Sequence, residues 1–320
     1  MLNNLPYKSK QFFFVLIKLS IISGAFFVII QKLTLNQQLS FSDFWSILVQ
    51  NRIYSAQITF FLMILSIFNW FLEIKKWQLL VTKVSDLSFR LALQQSLTAL
   101  TVSLITPNRI GDYGAKALFY PNHLRGKIML LNLVGNFWQM ATTVIFGLFG
   151  ILLLIIQFNY QPFKYEPWHF LIPIGFFALI MFASRLKNYR IQGVSISEII
   201  KFIQNYSLKG HTKIATLSIT RYLVFSFQLY FLLNLCGADL SYLNAMAGIS
   251  AMYLLASVVP VFQLFDAAVK GGIAMVIFGL FNVPAIVVLS AVTCMWFLNV
   301  VIPAMFGSVY LFNLKTARAF

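Results

Sequence analysis

From Ile128 to Gln157 the sequence IMLLNLVGNFWQMATTVIFGLFGILLLIIQ carries no charge. About 20 predominantly apolar residues in a helix suffice to cross the hydrocarbon core of a bilayer. Six runs have this character, at roughly 11–31, 54–73, 127–157, 168–184, 212–234 and 284–312. Two further apolar regions, 90–124 and 241–282, are broken by Pro107 and Pro260, and each has room for two helical legs. Only 10% of the 320 residues are charged and 60% are hydrophobic, with a mean hydropathy of +0.82. A soluble domain carries about 25% charged residues. No polar stretch is long enough to fold as a soluble domain, so residues 1–320 read as a single integral membrane domain. The expected fold is an all-α multi-pass bundle of about six full spans and two Pro-broken hairpins. Lys8 and Lys10 precede the first run, which is long for a signal sequence and lacks a cleavage site after it, so it reads as a retained span.

The net charge of +16 is distributed like that of a membrane protein rather than a nucleic-acid binder. Lys8, Lys10 and Lys18 lie at the N-terminus, and Lys75, Lys76, Lys83 and Arg90 follow the second run. Arg125 and Lys127 precede the third, six more basic residues between Arg185 and Lys213 separate the fourth and fifth, and Lys315 and Arg318 end the chain. The alternate connections hold only Lys32, Arg52 and Lys164. This asymmetry places both termini in the cytoplasm and the chain in the cell membrane. The region 90–124 then leaves and re-enters the cytoplasmic side, and 241–282 does the same on the outer side. That order is an inverted repeat with halves of about 11–157 and 168–312. Each turn proline is followed by an Asp and, four residues later, a Lys: Asp112 and Lys116 after Pro107, Asp266 and Lys270 after Pro260. Between the fourth and fifth runs, Ser195 and Glu198 form a capping-box pattern ahead of Ile196, Ile199, Ile200 and Ile203, which predicts a short helix on the cytoplasmic surface.

The stretch SLITPNRIGDYGAKALFY, residues 103 to 120, sets Arg109, Asp112 and Lys116 in this oily chain. Each such charge costs about 2.5–3.5 kcal/mol at the bilayer centre, so the stretch must face protein or water. Asp112 and Lys116 share a helical face and can neutralise each other. Thr106 or Asn108 can cap the return leg, and Arg109 beside a helix N-terminus suits a phosphate. Gly111 and Gly114 allow a helix or ligand to approach the backbone. Arg221 and Gln228 on the fifth run, and Asn132, Asn136 and Gln139 on one face of the third, add polar groups. The bland alternative is an ion-pair plug that only fixes the hairpin.

Cys236 and Cys294 lie in or beside apolar runs and read as small buried hydrophobes rather than a disulfide or a metal site. His123, His169 and His211 are scattered, and neither HExxH nor GxSxG occurs. No metal, cofactor or catalytic residue is expected.

The element TPNRIGDYGAKALFY resembles the motif of the lysylphosphatidylglycerol synthase transmembrane region, a flippase-like family of multi-span proteins. The likeness extends more loosely over the order of the spans and the second proline hairpin. It marks Pro107, Arg109, Gly111, Asp112 and Lys116 as motif positions. The second hairpin departs from the family, being mostly apolar up to Asp266, and no aminoacyl-transferase domain is expected, so lipid aminoacylation is not implied. The resemblance implies movement of a phosphate-bearing lipid between leaflets. The candidate substrate-binding residues are Pro107, Arg109, Gly111, Asp112, Lys116, Asn136, Gln139, Arg221, Asp266 and Lys270. The partners implied are a phospholipid or another anionic lipid and the membrane itself, with no nucleic acid; a homo-oligomer is left open. The competing readings are an intramembrane lipid-modifying enzyme with Asp112 as acid or base, and a non-catalytic assembly partner.

Overall fold

The structure, a computed structural model, describes residues 41–51, 53, 55–82, 84–106, 109–159, 190–191, 194–195, 206–259 and 263–312. The expected spans at 11–31 and 168–184, the turn residues Pro107 and Pro260, Lys164, both termini and residues 196–205 of the surface helix lie outside the described residues. Ser195, its expected cap, ends a two-residue antiparallel pairing of Arg190–Ile191 (β1) with Val194–Ser195 (β2). Everything else that has regular structure among the described residues is helical.

Ten α-helices follow one another among the described residues: α1 Phe41–Gln50, α2 Ala56–Val81, α3 Phe89–Ser103, α4 Ile110–Ala117, α5 Asn122–Gln157, α6 Leu208–Leu235, α7 Tyr242–Val258, α8 Asp266–Gly279, α9 Ala285–Trp296 and α10 Ile302–Phe312. Among the described residues four stretches are long and apolar enough to cross a membrane: α2, α5, α6 and the continuous rod Ala285–Phe312 made by α9 and α10. They fall on the four expected runs that lie among the described residues. The legs α3, α4, α7 and α8, at 15, 8, 17 and 14 residues, are each shorter than the roughly 20 residues a crossing helix needs. The helix α1 has no counterpart in the hydropathy reading, because ten residues fall below the length at which an apolar run stands out.

Local chemistry sets several helix starts. The Oγ atoms of Ser88, Ser207 and Ser241 accept the N–H of Leu91, Gly210 and Asn244, satisfying donors that the first turn leaves orphaned. Ser55 occupies the same position before α2. Pro121 and Pro284, which have no N–H to leave unpaired, precede α5 and α9. The rod Ala285–Phe312 opens into one wide π turn at Phe297–Val301. There the Asn299 carbonyl accepts a 3.1 Å bond from Trp70 Nε1 on α2.

The helices α2 and α6 pack antiparallel: Gln228 meets Leu62 and Ser66, and further along Arg221 meets Glu73. The leg α3 packs on α10 and the leg α7 packs on α5. Glycines bring these backbones together, since a Cβ on Gly307 would collide with the Leu97 carbonyl, and one on Gly150 would sit 2.7 Å from the Ala247 carbonyl. Without a hydrophobic drive between helices in lipid, such close backbone packing is a main source of cohesion. Two cores result. One gathers residues from Trp70 to Val134 with Tyr206, Ile214 and Ala304; the other gathers Tyr222 to Met295 with Ile53 and Leu62.

Candidate functional site

The chain breaks twice, after α3 and after α7, and the two breaks touch. Leu264 N–H donates to the Leu104 carbonyl at 3.2 Å, and Ser103 Oγ donates to Gln263 Oε1 at 2.6 Å. Beside this junction lies a cavity of about 530 Å³ that continues into a second lobe of about 400 Å³. Both lobes are lined by Asn69, Arg109, Arg221, Phe225, Tyr253, Asp266 and Lys270. The larger lobe adds an apolar wall that includes Leu229, Met252, Val292 and Met295, whereas the smaller adds Tyr113, Asn136 and Gln139. One side of the cavity is therefore oily and the other polar.

Arg109 is the residue just before α4 and has a φ of +59°, the left-handed region that costs a non-glycine residue about 1–2 kcal/mol. Thr106 Oγ1 accepts the Gly111 N–H at 2.9 Å, so threonine makes the expected cap across the break. Arg109 is exposed, lines both lobes, and makes no ion pair or hydrogen bond with a described residue. The glycines differ. A Cβ on Gly111 would lie 2.7 Å from Thr106 Oγ1 and 2.9 Å from the Val102 carbonyl, so the close neighbour is the end of α3 itself. Gly114 has nothing within 4 Å of that position, and the close approach expected there is not seen among the described residues.

Asp112 and Lys116 pair at 3.1 Å and are both buried. Asn132 completes a closed triangle, donating to Asp112 Oδ2 at 2.7 Å and accepting from Lys116 Nζ at 2.8 Å. The Lys116 ammonium also lies 4.5 Å from the Trp77 ring centroid. These residues pin α4 to α5 and do not line either lobe. The equivalent pair of the second hairpin, Asp266 and Lys270 at 2.7 Å, is about a quarter exposed and faces both lobes. Of the two aspartates, Asp266 lines the cavity and Asp112 does not.

The face Asn132, Asn136 and Gln139 of α5 is divided among three partners. Asn132 serves the buried pair, Asn136 donates to the Tyr113 hydroxyl at 2.9 Å, and Gln139 accepts from Arg221 at 3.3 Å. Arg221 also pairs with Glu73 at 3.0 Å, and Glu73 is shared with Lys76 at 2.7 Å. Lys76 had the look of a residue flanking a span, yet it is 2% exposed inside α2. Its burial corrects that reading, because Glu73 one turn earlier supplies the counterion. Five cations, Lys76, Arg109, Lys116, Arg221 and Lys270, meet three carboxylates in this region, and of these eight groups Arg109, Arg221, Lys270 and Asp266 line the cavity.

Sequence reasoning missed Glu73, Asn69 and Asn299. Asn69 donates to Asn299 Oδ1 at 3.1 Å, and Asn299 donates to Gln228 Oε1 at 3.0 Å. An acid within a span was the available signal for Glu73, since the chain has only eight acidic residues. Among the described residues, no group of three or more His, Cys, Asp or Glu could hold a metal ion. Cys236 and Cys294 are free thiols, the first buried and the second half-buried.

No family model, no curated protein and no solved structure matches this chain.

Proposed function

We propose that this protein moves a phosphate-bearing lipid or lipid-linked precursor between membrane leaflets. The observation that carries the reading is the half-oily, half-polar cavity beside the junction of two broken helices, lined by an Arg109 guanidinium that makes no ion pair or hydrogen bond with a described residue. An arginine fork grips phosphate oxygens in two places, and an apolar wall suits acyl or prenyl chains.

The transport architecture in this proposal is an inverted repeat in which α3–α4 and α7–α8 re-enter the membrane from opposite sides. Exchanging α2–α3–α4–α5 with α6–α7–α8–α9/α10 preserves the main packing pairs: α2 with α6, α3 on α10 as α7 on α5, and each hairpin leg on its own partner. Serine precedes α2 and α6, serine precedes α3 and α7, and proline precedes α5 and α9. Discontinuous helices meeting at a repeat interface are the usual setting of a transporter site. The enzymatic alternative would require Asp112 to reach the cavity, whereas it is 4% exposed and held by Lys116 and Asn132.

Purified protein reconstituted into vesicles should translocate a fluorescent phospholipid, and Arg109→Ala should slow this by about tenfold or more, the equivalent of one lost charged hydrogen bond. Arg109→Lys keeps the charge but loses the planar fork, and should be stable yet impaired. A stable Arg109→Ala protein with full transport would remove Arg109 from the site. Absence of transport by the native protein for every phosphate lipid tried would end the reading.

A further inference from the structure

The charges around the cavity do not balance, and the pairs among them fix the size of the excess. Among the described residues three cations and one carboxylate line it: Arg109, Arg221, Lys270 and Asp266. Asp266 cancels Lys270, its partner at 2.7 Å. Arg221, whose side chain is 16% exposed, pairs with Glu73 at 3.0 Å. That carboxylate is divided, because the same oxygen holds Lys76 at 2.7 Å. Two cations on one carboxylate leave this trio with one positive charge in excess. Arg109 makes no ion pair with a described residue and brings a second. The buried pair of Asp112 and Lys116 brings none.

An unbalanced charge is costly inside a bilayer, and a second of the same sign beside it adds repulsion. The ligand that relieves both is an anion, and its charge follows from the count. A zwitterionic headgroup carries no net charge and cancels none of the excess. A phosphodiester carries one negative charge and cancels half. A terminal phosphate carries close to two at neutral pH, and a diphosphate linkage carries one on each phosphate.

We infer that the substrate headgroup carries two negative charges, met by Arg109 and by the share of Arg221 that Glu73 leaves unneutralised. This rests on the lipid-moving function proposed above. A lipid ending in a phosphate and a lipid joined to a sugar through a diphosphate share this chemistry. Lys76 thereby acts on specificity without lining either lobe: it draws on Glu73 and so keeps Arg221 positive from behind the wall.

The test uses the full chain in vesicles of phosphatidylcholine, each doped with a trace of one tail-labelled lipid, so that the rate of movement reports affinity. The medium is held at about pH 8.5, where a terminal phosphate is doubly ionised. Phosphatidylglycerol and phosphatidic acid share a diacyl tail and differ by one charge. A glucosyl phosphoprenol and a glucosyl diphosphoprenol make the same comparison on a prenyl tail. In at least one pair the doubly charged lipid should move about tenfold faster, the factor that one added charge gains roughly 10 Å from an opposite charge in a partly polar interior. The pair that shows it identifies the form the site takes, terminal phosphate or diphosphate. Lys76→Met gives Glu73 wholly to Arg221 and should reduce the ratio to within about threefold, although no group lining the cavity has changed. Gln139→Glu places a carboxylate where Gln139 already accepts from Arg221 at 3.3 Å, and should do the same if Lys76→Met does not fold. Equal rates within both pairs, or faster movement of the singly charged lipids, would overturn the charge assignment while leaving lipid movement intact. A tenfold ratio that persists in the folded variants would overturn the part given to Glu73 and Lys76. No movement of any lipid would overturn both this inference and the function beneath it.

Discussion

Replacing Lys116 by methionine would take the ion-pair partner from the buried Asp112 carboxylate and leave Asn132 as its hydrogen-bonding side chain. Breaking a buried pair from one side costs about 3–5 kcal/mol, which thermal unfolding in detergent should register as a large loss of stability. Combining Asp112→Leu, Lys116→Met and Asn132→Leu should recover most of that loss, since a matched apolar set leaves no orphaned charge. Arg109 should behave in the opposite way. Its φ of +59° is easy for glycine, so Arg109→Gly should unfold at a slightly higher temperature, by about 1 kcal/mol of relieved strain. The same variant should lose lipid transport. An Arg109→Gly protein that loses stability would show that the side chain is a structural tie. The pairing of Asp112 with Lys116 was legible in the sequence, because i, i+4 spacing suffices to bring them together. The Arg221–Glu73 pair was not, because nothing in a hydropathy profile says which faces of two separate helices meet.

At the scale of elements, the two glycines of α4 offer a matched comparison. Gly111→Ala should destabilise the hairpin, because its Cβ must displace both Thr106 Oγ1 and the Val102 carbonyl. Gly114→Ala meets open space and should stabilise α4 by about 0.5–1 kcal/mol through helix propensity. Melting curves of the two variants should therefore shift in opposite directions. The breaks after α3 and α7 can be tied together. Cysteines in place of Ser103 and Gln263, whose side chains touch at 2.6 Å, should be bridged by a short bis-methanethiosulfonate reagent, which makes up for the lost glutamine stem, when Cys236 and Cys294 are replaced by alanine. Closing that bond should stop lipid transport, and reduction should restore it. Transport at the native rate with the bond closed would show that the two breaks need not part. The break after α3 was readable from Pro107, since proline ends a helix. The π turn at Phe297–Val301 was not, because no proline marks it; it arises where Asn299 is drawn to Asn69, Trp70 and Gln228.

For the molecule as a whole, the charge asymmetry makes a prediction about sides. A cysteine at Lys164 should react with an impermeant reagent on intact cells, and one at Lys209 should not; the reverse pattern would overturn the proposed orientation. Long apolar runs made the all-helical membrane fold legible, because lipid leaves the backbone so few alternatives. The matching helix starts, Ser88 with Ser241 and Pro121 with Pro284, were in plain view but not readable as such. Without helix boundaries such residues look like any others. The antiparallel seam of α2 and α6 has a mechanical consequence. It is fastened along its length by Gln228 with Leu62 and Ser66, by Asn299 of the rod, which bridges Asn69 to Gln228, and by Arg221 with Glu73. Sliding one helix past the other by a single 1.5 Å step would strain all of these bonds together. Turning one half about the line that runs through them spares these bonds but parts α3 from α10 and α7 from α5. The seam is built like the pin of a door hinge, stiff to shear, and the packed legs are its latch.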